Sequence, residues 1–180
     1  PLWEGLAFHA YQEFPDLYQP KDLGVYQKLI SNIGTWWAEF ESMPRTLIHN
    51  DFNPRNLGFR RTENNEPLLC AYDWELATLH VPQRDLVELL CFVLPRDFDY
   101  ELVQKYSELH RVGLEAATGE SIDSKTWTRG FSLALRDFCV NRVAMYLMAH
   151  TFRNYDFIDH MYTNLRRMAK LDPSAEEYIN

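Results

Sequence analysis

Apolar side chains between Asp22 and about Met43 recur at helical spacing, at Leu23, Tyr26, Leu29, Ile30, Ile33, Trp37 and Phe40. The period predicts one amphipathic helix, with Asp22 as its N-cap and Pro44 as its stop. Residues 1–14 read more loosely as a helix, broken by Pro15 and Pro20. The period then shortens. Thr46–His49 is a brief apolar run, residues 50–56 are a polar loop, and Leu57–Arg60 and Pro67–Tyr72 read as two strands joined by the polar turn "RTENNE".

After Asp73 the helical pattern returns. Asp85–Leu94 is an apolar helix ended by Pro95, and Tyr100–Ala117 is a second, with Gly119 past its end. Ser124 to about His150 is long and rich in apolar and aromatic residues, and Asp156–Leu171 is amphipathic. No repeat, low-complexity run or Gly/Ser linker interrupts this order. The predicted fold class is α+β, predominantly α-helical, with one small β-hairpin near the middle. An isolated hairpin is marginal in water, so this one must lie against the helices.

Composition narrows the functions on offer. At 180 residues the chain is one domain or one large lobe, and 46% hydrophobic residues suffice for a core. With 26 acidic against 18 basic residues, the net charge of −8 argues against nucleic acid as a partner, which needs a basic face. Cys70, Cys91 and Cys139 are odd in number, far apart and without a CxxC pair, which points to buried thiols in a reducing compartment. No run is long and apolar enough for a membrane span and no signal peptide is legible, so the expectation is a cytoplasmic protein without a membrane partner. The chain begins at Pro1 rather than Met, which suggests a piece of a longer protein.

The candidate chemistry lies at the two ends of the hairpin. Asp51 precedes the first strand and Asp73 follows the second, so an antiparallel return should bring Asp51, Asn56 and Asp73 to one spot. Two carboxylates and an amide oxygen make a hard, oxygen-rich site suited to Mg²⁺. A carboxylate that holds no metal can instead accept a proton from a hydroxyl nucleophile. Taken singly these residues have plainer readings: Asp73 as a turn or helix-cap residue, and His49 as a packing histidine.

The combined pattern resembles a known family. His49-Asn50-Asp51 followed by Asn56 after four residues has the form of a kinase catalytic loop, and "YDWE" at 72–75 that of the metal-binding segment. Together with "VPQRDLVELL" at 81–90, this is similar to the aminoglycoside phosphotransferase and choline kinase group of small-molecule kinases. By motif the resemblance covers roughly residues 45–95, and by general layout the whole chain as a protein-kinase-like C-terminal lobe. It implies Asp51 as catalytic base, Asn56 and Asp73 as ligands of Mg²⁺ on the ATP phosphates, and His49 and Asp85 as supports of the loop. Glu75 is a candidate outer-shell ligand. The implied partners are ATP as co-substrate and a small-molecule hydroxyl acceptor, cationic if it is of the choline or aminoglycoside type.

The sequence departs from the family in lacking a Gly-rich loop and a strand lysine paired with a helix glutamate. Those belong to an N-terminal nucleotide-binding lobe, which the resemblance therefore implies is missing from these residues. On that division residues 1–180 by themselves should be inactive. The rival readings are a catalytically idle kinase fold acting as a binding or regulatory module, and a protein kinase. The absence of DFG and Ala-Pro-Glu segments speaks against the latter. His80, His110, His150 and His160 are scattered without zinc spacing. Arg166, Arg167 and Lys170 read as a solvated helix face, and Trp127, Phe131, Phe138 and Tyr146 as core rather than pocket.

Overall fold

The computed structural model describes residues 2–175; Pro1 and residues 176–180 lie outside the described residues. Across the described residues the chain is mostly helical, with two small antiparallel sheets. Helix α1 (Leu2–Glu13) buries Ala7 and Ala10 and is followed by α2 (Pro20–Ser31) and α3 (Ile33–Ser42). The single helix predicted over 22–43 is thus two. Asn32, with φ −97° and ψ 11°, breaks it. At the break the Trp36 indole N–H donates to Leu29 O at 3.1 Å, the carbonyl that Ile33 would have used in an unbroken helix. Trp36 is buried and Trp37 half-buried. Asp22 is not the N-cap either. Gln19 is, with Pro20 behind it, and Asp22 one turn in accepts the Gln19 N–H at 2.8 Å.

Strand β1 (Thr46–Ile48) leads to the polar loop, and the hairpin pairs β2 (Leu57–Arg61) with β3 (Pro67–Ala71), Leu57 facing Ala71 and Arg61 facing Pro67. A fourth strand, β4 (Thr78–His80), was not legible in the sequence; it pairs antiparallel with β1, Leu47 opposite Leu79. Its three residues are too few to show a period. Helices α4 (Gln83–Val93), α5 (Tyr100–Thr118) and α6 (Ser124–Phe138) come next. A π-helical turn (Cys139–Val143) joins α6 to α7 (Ala144–Phe152), and α8 (Ile158–Leu171) completes the order. Asp99 caps α5 by accepting the Leu102 N–H at 2.9 Å, and Gly119, at φ 73°, ends it in the left-handed region.

Helix α4 packs against both α6 and α8, and around it Leu90, Leu133, Phe138, Leu147, Met161 and Leu165 form the buried centre with Phe40 of α3. Trp127, Phe131 and Phe138 are buried as expected, whereas Tyr146 is only half-buried. The supposed solvated face of α8 is partly tied down: Arg166 pairs with Asp22 at 3.2 Å and Arg167 donates to Phe98 O. The three cysteines are free, Cys91 buried and the other two half-buried. No helix among the described residues is long and apolar enough to cross a membrane.

Candidate active site

Strand β1 delivers a buried Ile48 and then, within two residues, a backbone that must turn away from the sheet. Asn50 makes the turn at φ 61°, a conformation that Asn tolerates better than most residues. Both N–H groups exposed by this turn are met by one side chain. The Asp85 carboxylate, in the first turn of α4, accepts from His49 N at 2.7 Å and from Asn50 N at 2.8 Å. Burial pushes the Asp85 carboxyl up from the usual range, and these two N–H groups and the neighbouring Arg84 pull it back.

His49 is buried, and its Nε2 lies 2.8 Å from Tyr72 O. A carbonyl can only accept, so Nε2 carries the proton there. The imidazole thereby ties the loop to the residue just before Asp73, with the Trp74 ring 4.7 Å from its own.

Beyond Asn50 the loop is closed by its own polar side chains. Asn53, fully buried, caps the short 3₁₀ turn Pro54–Asn56 by accepting the Arg55 N–H at 3.2 Å, and its amide nitrogen donates to Asp51 Oδ1 at 3.1 Å. The Asn56 amide nitrogen donates to Asp51 Oδ2 at 2.7 Å and to Asp51 O at 3.0 Å. With its nitrogen so committed, Asn56 keeps its amide oxygen as an acceptor that no hydrogen bond among the described residues uses. Across the foot of the hairpin Tyr72 N donates to Asn56 O at 3.1 Å, so Asp73 follows directly from the residue paired with Asn56. Asp73 itself is exposed and left-handed, φ 65° and ψ 56°, and opens the 3₁₀ turn Trp74–Leu76. Neither its carboxylate nor that of Glu75, the exposed second residue of that turn, makes a hydrogen bond among the described residues.

A second set of residues behind the loop escaped the sequence reading. Tyr146 of α7 lies with its hydroxyl 3.2 Å from Asp51 Oδ1 and 2.6 Å from Glu88 Oε1. Glu88 is fully buried on α4, its other oxygen 3.2 Å from Arg84 Nη1, and Arg84 reaches Asp137 at 3.1 Å. Arg142, inside the π turn, donates to Asn50 O and stands 3.8 Å from Asp51 and 3.7 Å from Glu88. Burial, then the Glu88 carboxylate, drive the Tyr146 phenol far above its ordinary range, so it keeps its proton. The signal was present in the sequence: Arg136, Asp137, Asn141 and Arg142 interrupt the most apolar run of the chain, where charges need partners.

A cavity of about 420 Å³ opens between α2, α8 and the π turn, lined by Tyr18, Tyr26, Cys139, Val143 and Tyr162 among others. None of His49, Asp51, Asn56, Asp73 or Asp85 lines it, so the polar cluster at the hairpin foot is a separate, open feature. It is the cluster, not the larger hollow, that carries convergent chemistry.

Comparison with known proteins covers that region. A family model described as the phosphotransferase enzyme family matches residues 4–119, which include the polar loop, the hairpin and α4. No curated protein and no solved structure gave a match. The family match spans more than half of the chain, and the chain belongs to the phosphotransferase enzyme family, a family of small-molecule kinase type.

Proposed function

We propose that these residues carry the catalytic loop and metal ligands of a kinase that moves the γ-phosphoryl of ATP to a hydroxyl of a small molecule. The observation that carries the reading is the pairing of Asp51 with Asn56 at one foot of the hairpin, with Asp73 directly after the other foot. In this reading Asp51 receives the acceptor hydroxyl, orienting it and taking its proton. His49 and Asp85 hold the backbone around it.

The donor set fits Mg²⁺. Asn56 offers an amide oxygen and Asp73 a carboxylate with no other hydrogen-bond duty, with Glu75 adjacent in an outer position. Among the described residues no group of three or more His, Cys, Asp or Glu side chains could hold a metal. Mg²⁺ commonly takes only one or two carboxylates from protein and fills its shell with phosphate and water, and one carboxylate with one amide oxygen matches that demand. When bound, the ion would neutralise charge on the phosphates. The groups of this chain supply the positioning of the acceptor and, at Asp51, the site that takes its proton.

The remaining half of the nucleotide site is proposed to come from an N-terminal lobe. Two features support this: the sequence holds no Gly-rich loop, and exposed apolar side chains crowd the surface nearby. Leu47 and Leu79 face each other across β1 and β4 at 61% and 66% exposure, and Phe59 on the hairpin reaches 77%.

The test is substitution in the full-length protein. Asp51→Asn should lower phosphoryl transfer by roughly 10²–10⁴-fold with the fold intact. Asp73→Ala should weaken binding of Mg·ATP, measured by calorimetry, more than binding of the acceptor. Parent-like turnover by Asp51→Asn would remove it from the mechanism, and equal losses for both ligands would make Asp73 structural.

A further inference from the structure

Asp51 is held on one side by amides of its own loop, Asn53 and Asn56, and on the other by a phenol that arrives from 95 residues away. That phenol is itself fixed. Its oxygen sits between two carboxylates, 2.6 Å from Glu88 and 3.2 Å from Asp51, within donating reach of both, so its one proton is shared between them in a three-centre arrangement. The shorter contact belongs to Glu88. Glu88 in turn cannot move, because it is fully buried and paired with Arg84, whose guanidinium lies over the Phe138 ring at 4.5 Å and bonds Asp137. A buried acid in this position has no solvent role. What it does is clamp Tyr146.

We propose that Tyr146, clamped by Glu88, is a positioning residue that sets the orientation of the Asp51 carboxylate toward the acceptor hydroxyl. The inference rests on the kinase reading of Asp51. The π turn supplies the geometric means. Placed between α6 and α7, it carries Arg142 to the carbonyl of Asn50 and hands on to α7, which brings Tyr146 to the carboxylate of the next residue. Such turns are frequent where a helix must aim side chains at a site. Without the phenol the carboxylate would keep the amides of its own loop and the longer 3.8 Å ion pair to Arg142; the phenol adds the shorter contact that references it to the rigid α4 and α6–α7 framework. Displacing a reacting group by about an ångström costs on the order of 100-fold in rate.

The test has a kinetic arm and a substrate-free arm, both in the full-length protein. Transfer of radiolabelled phosphate from Mg·ATP to choline, ethanolamine, kanamycin and glucose is measured for the parent, Tyr146→Phe, Asp51→Asn and the double variant. Tyr146→Phe is expected to lower kcat about 10- to 100-fold, with KM for nucleotide and acceptor unchanged within about threefold. In the Asp51→Asn background the same change should have no further effect, since no carboxylate is left to orient. Because Tyr146→Phe also removes the bond to Glu88, urea unfolding midpoints are compared for the parent, Tyr146→Phe, Asp51→Ala and their combination. The loss from Tyr146→Phe should shrink when Asp51 is already gone. Unchanged kcat, a kcat loss of equal size without the Asp51 carboxylate, or additive midpoints would each overturn the positioning role while leaving Asp51 as base. If the folded parent transfers phosphate to none of the four acceptors, the kinase reading itself is overturned and the catalytic sense of Tyr146 goes with it. The urea comparison still decides whether Tyr146 holds Asp51.

Discussion

Gly130, in the middle of α6, is not there for backbone freedom, since its φ is not positive. A Cβ at this position would stand 2.6 Å from Gln83 Nε2 and 3.0 Å from Gln83 Cδ, where apolar carbon contacts prefer about 3.5–4.0 Å. Gln83 opens α4, is buried, and donates to Trp127 O at 3.2 Å. Gly130→Ala must therefore push a buried side chain by close to an ångström and break that bond. Overpacking of this kind costs about 1–3 kcal/mol, and the lost hydrogen bond adds about 1 kcal/mol. The better helix propensity of alanine returns about 1 kcal/mol. The net is a destabilisation of about 1–3 kcal/mol, a fall of roughly 3–10 °C in Tm for a chain of this size. Thermal unfolding followed by circular dichroism measures it. The control is the same change in a Gln83→Ala background, where the obstructing atoms are gone. There the propensity term stands alone and Gly130→Ala should raise Tm by about 2–4 °C. An equal fall in both backgrounds would refute the reasoning, because the clash would then lie elsewhere.

Two further perturbations test other parts of the fold. Trp36→Phe removes the indole N–H that serves Leu29 O at the α2–α3 break, and leaving that carbonyl without a donor should cost about 1–3 kcal/mol in urea unfolding; a loss below about 0.5 kcal/mol would show that the break does not depend on Trp36. Burial lowers the His110 pKa from its ordinary 6.5, so below that pH the unfolded chain binds the proton first and stability falls as pH drops toward the folded value. His80 is lowered too, chiefly by burial, so His110→Leu should flatten this acid-side slope without abolishing it; an unchanged slope between about pH 6.5 and 5 would mean His110 does not contribute.

What the sequence made legible was local. The two strands of the hairpin and Gly119 past the end of α5 follow from nearest-neighbour chemistry, and the convergence of Asn56 with the residue before Asp73 follows from an antiparallel return. The break at Asn32 was hidden because both sides of it keep helical spacing, and what allows it is an indole N–H four residues on. Strand β4 was hidden because three residues cannot display a period and its partner lies about 30 residues earlier in the chain. Arg166 and Arg167 looked solvated because their partners, Asp22 and Phe98, are distant in sequence. Tyr146 was assigned to the core for the same reason: an aromatic on an apolar helix is ordinary until one knows which carboxylates its hydroxyl meets.

The loop around Asp51 is fixed from three independent directions, and this bears on how a site so open to solvent can be exact. Two of its residues, Asn50 and Asp73, hold left-handed backbones, a conformation that costs of order 1 kcal/mol or more and persists only where neighbours over-determine it. Asp85 fixes the first from α4, through two N–H bonds that no other acceptor among the described residues takes. His49 ties the second to the same loop through Tyr72 O. Arg142 and Tyr146 reach in from the π turn and α7, so that the third support arrives from the helical core itself. Removing any one of these leaves two, and the loop would still close. Its carboxylate would then be held to one framework fewer, which is a loss of aim before it is a loss of fold. Substitutions at Tyr146 should therefore separate rate from stability more cleanly than substitutions at Asp85, whose partners are the backbone of the loop.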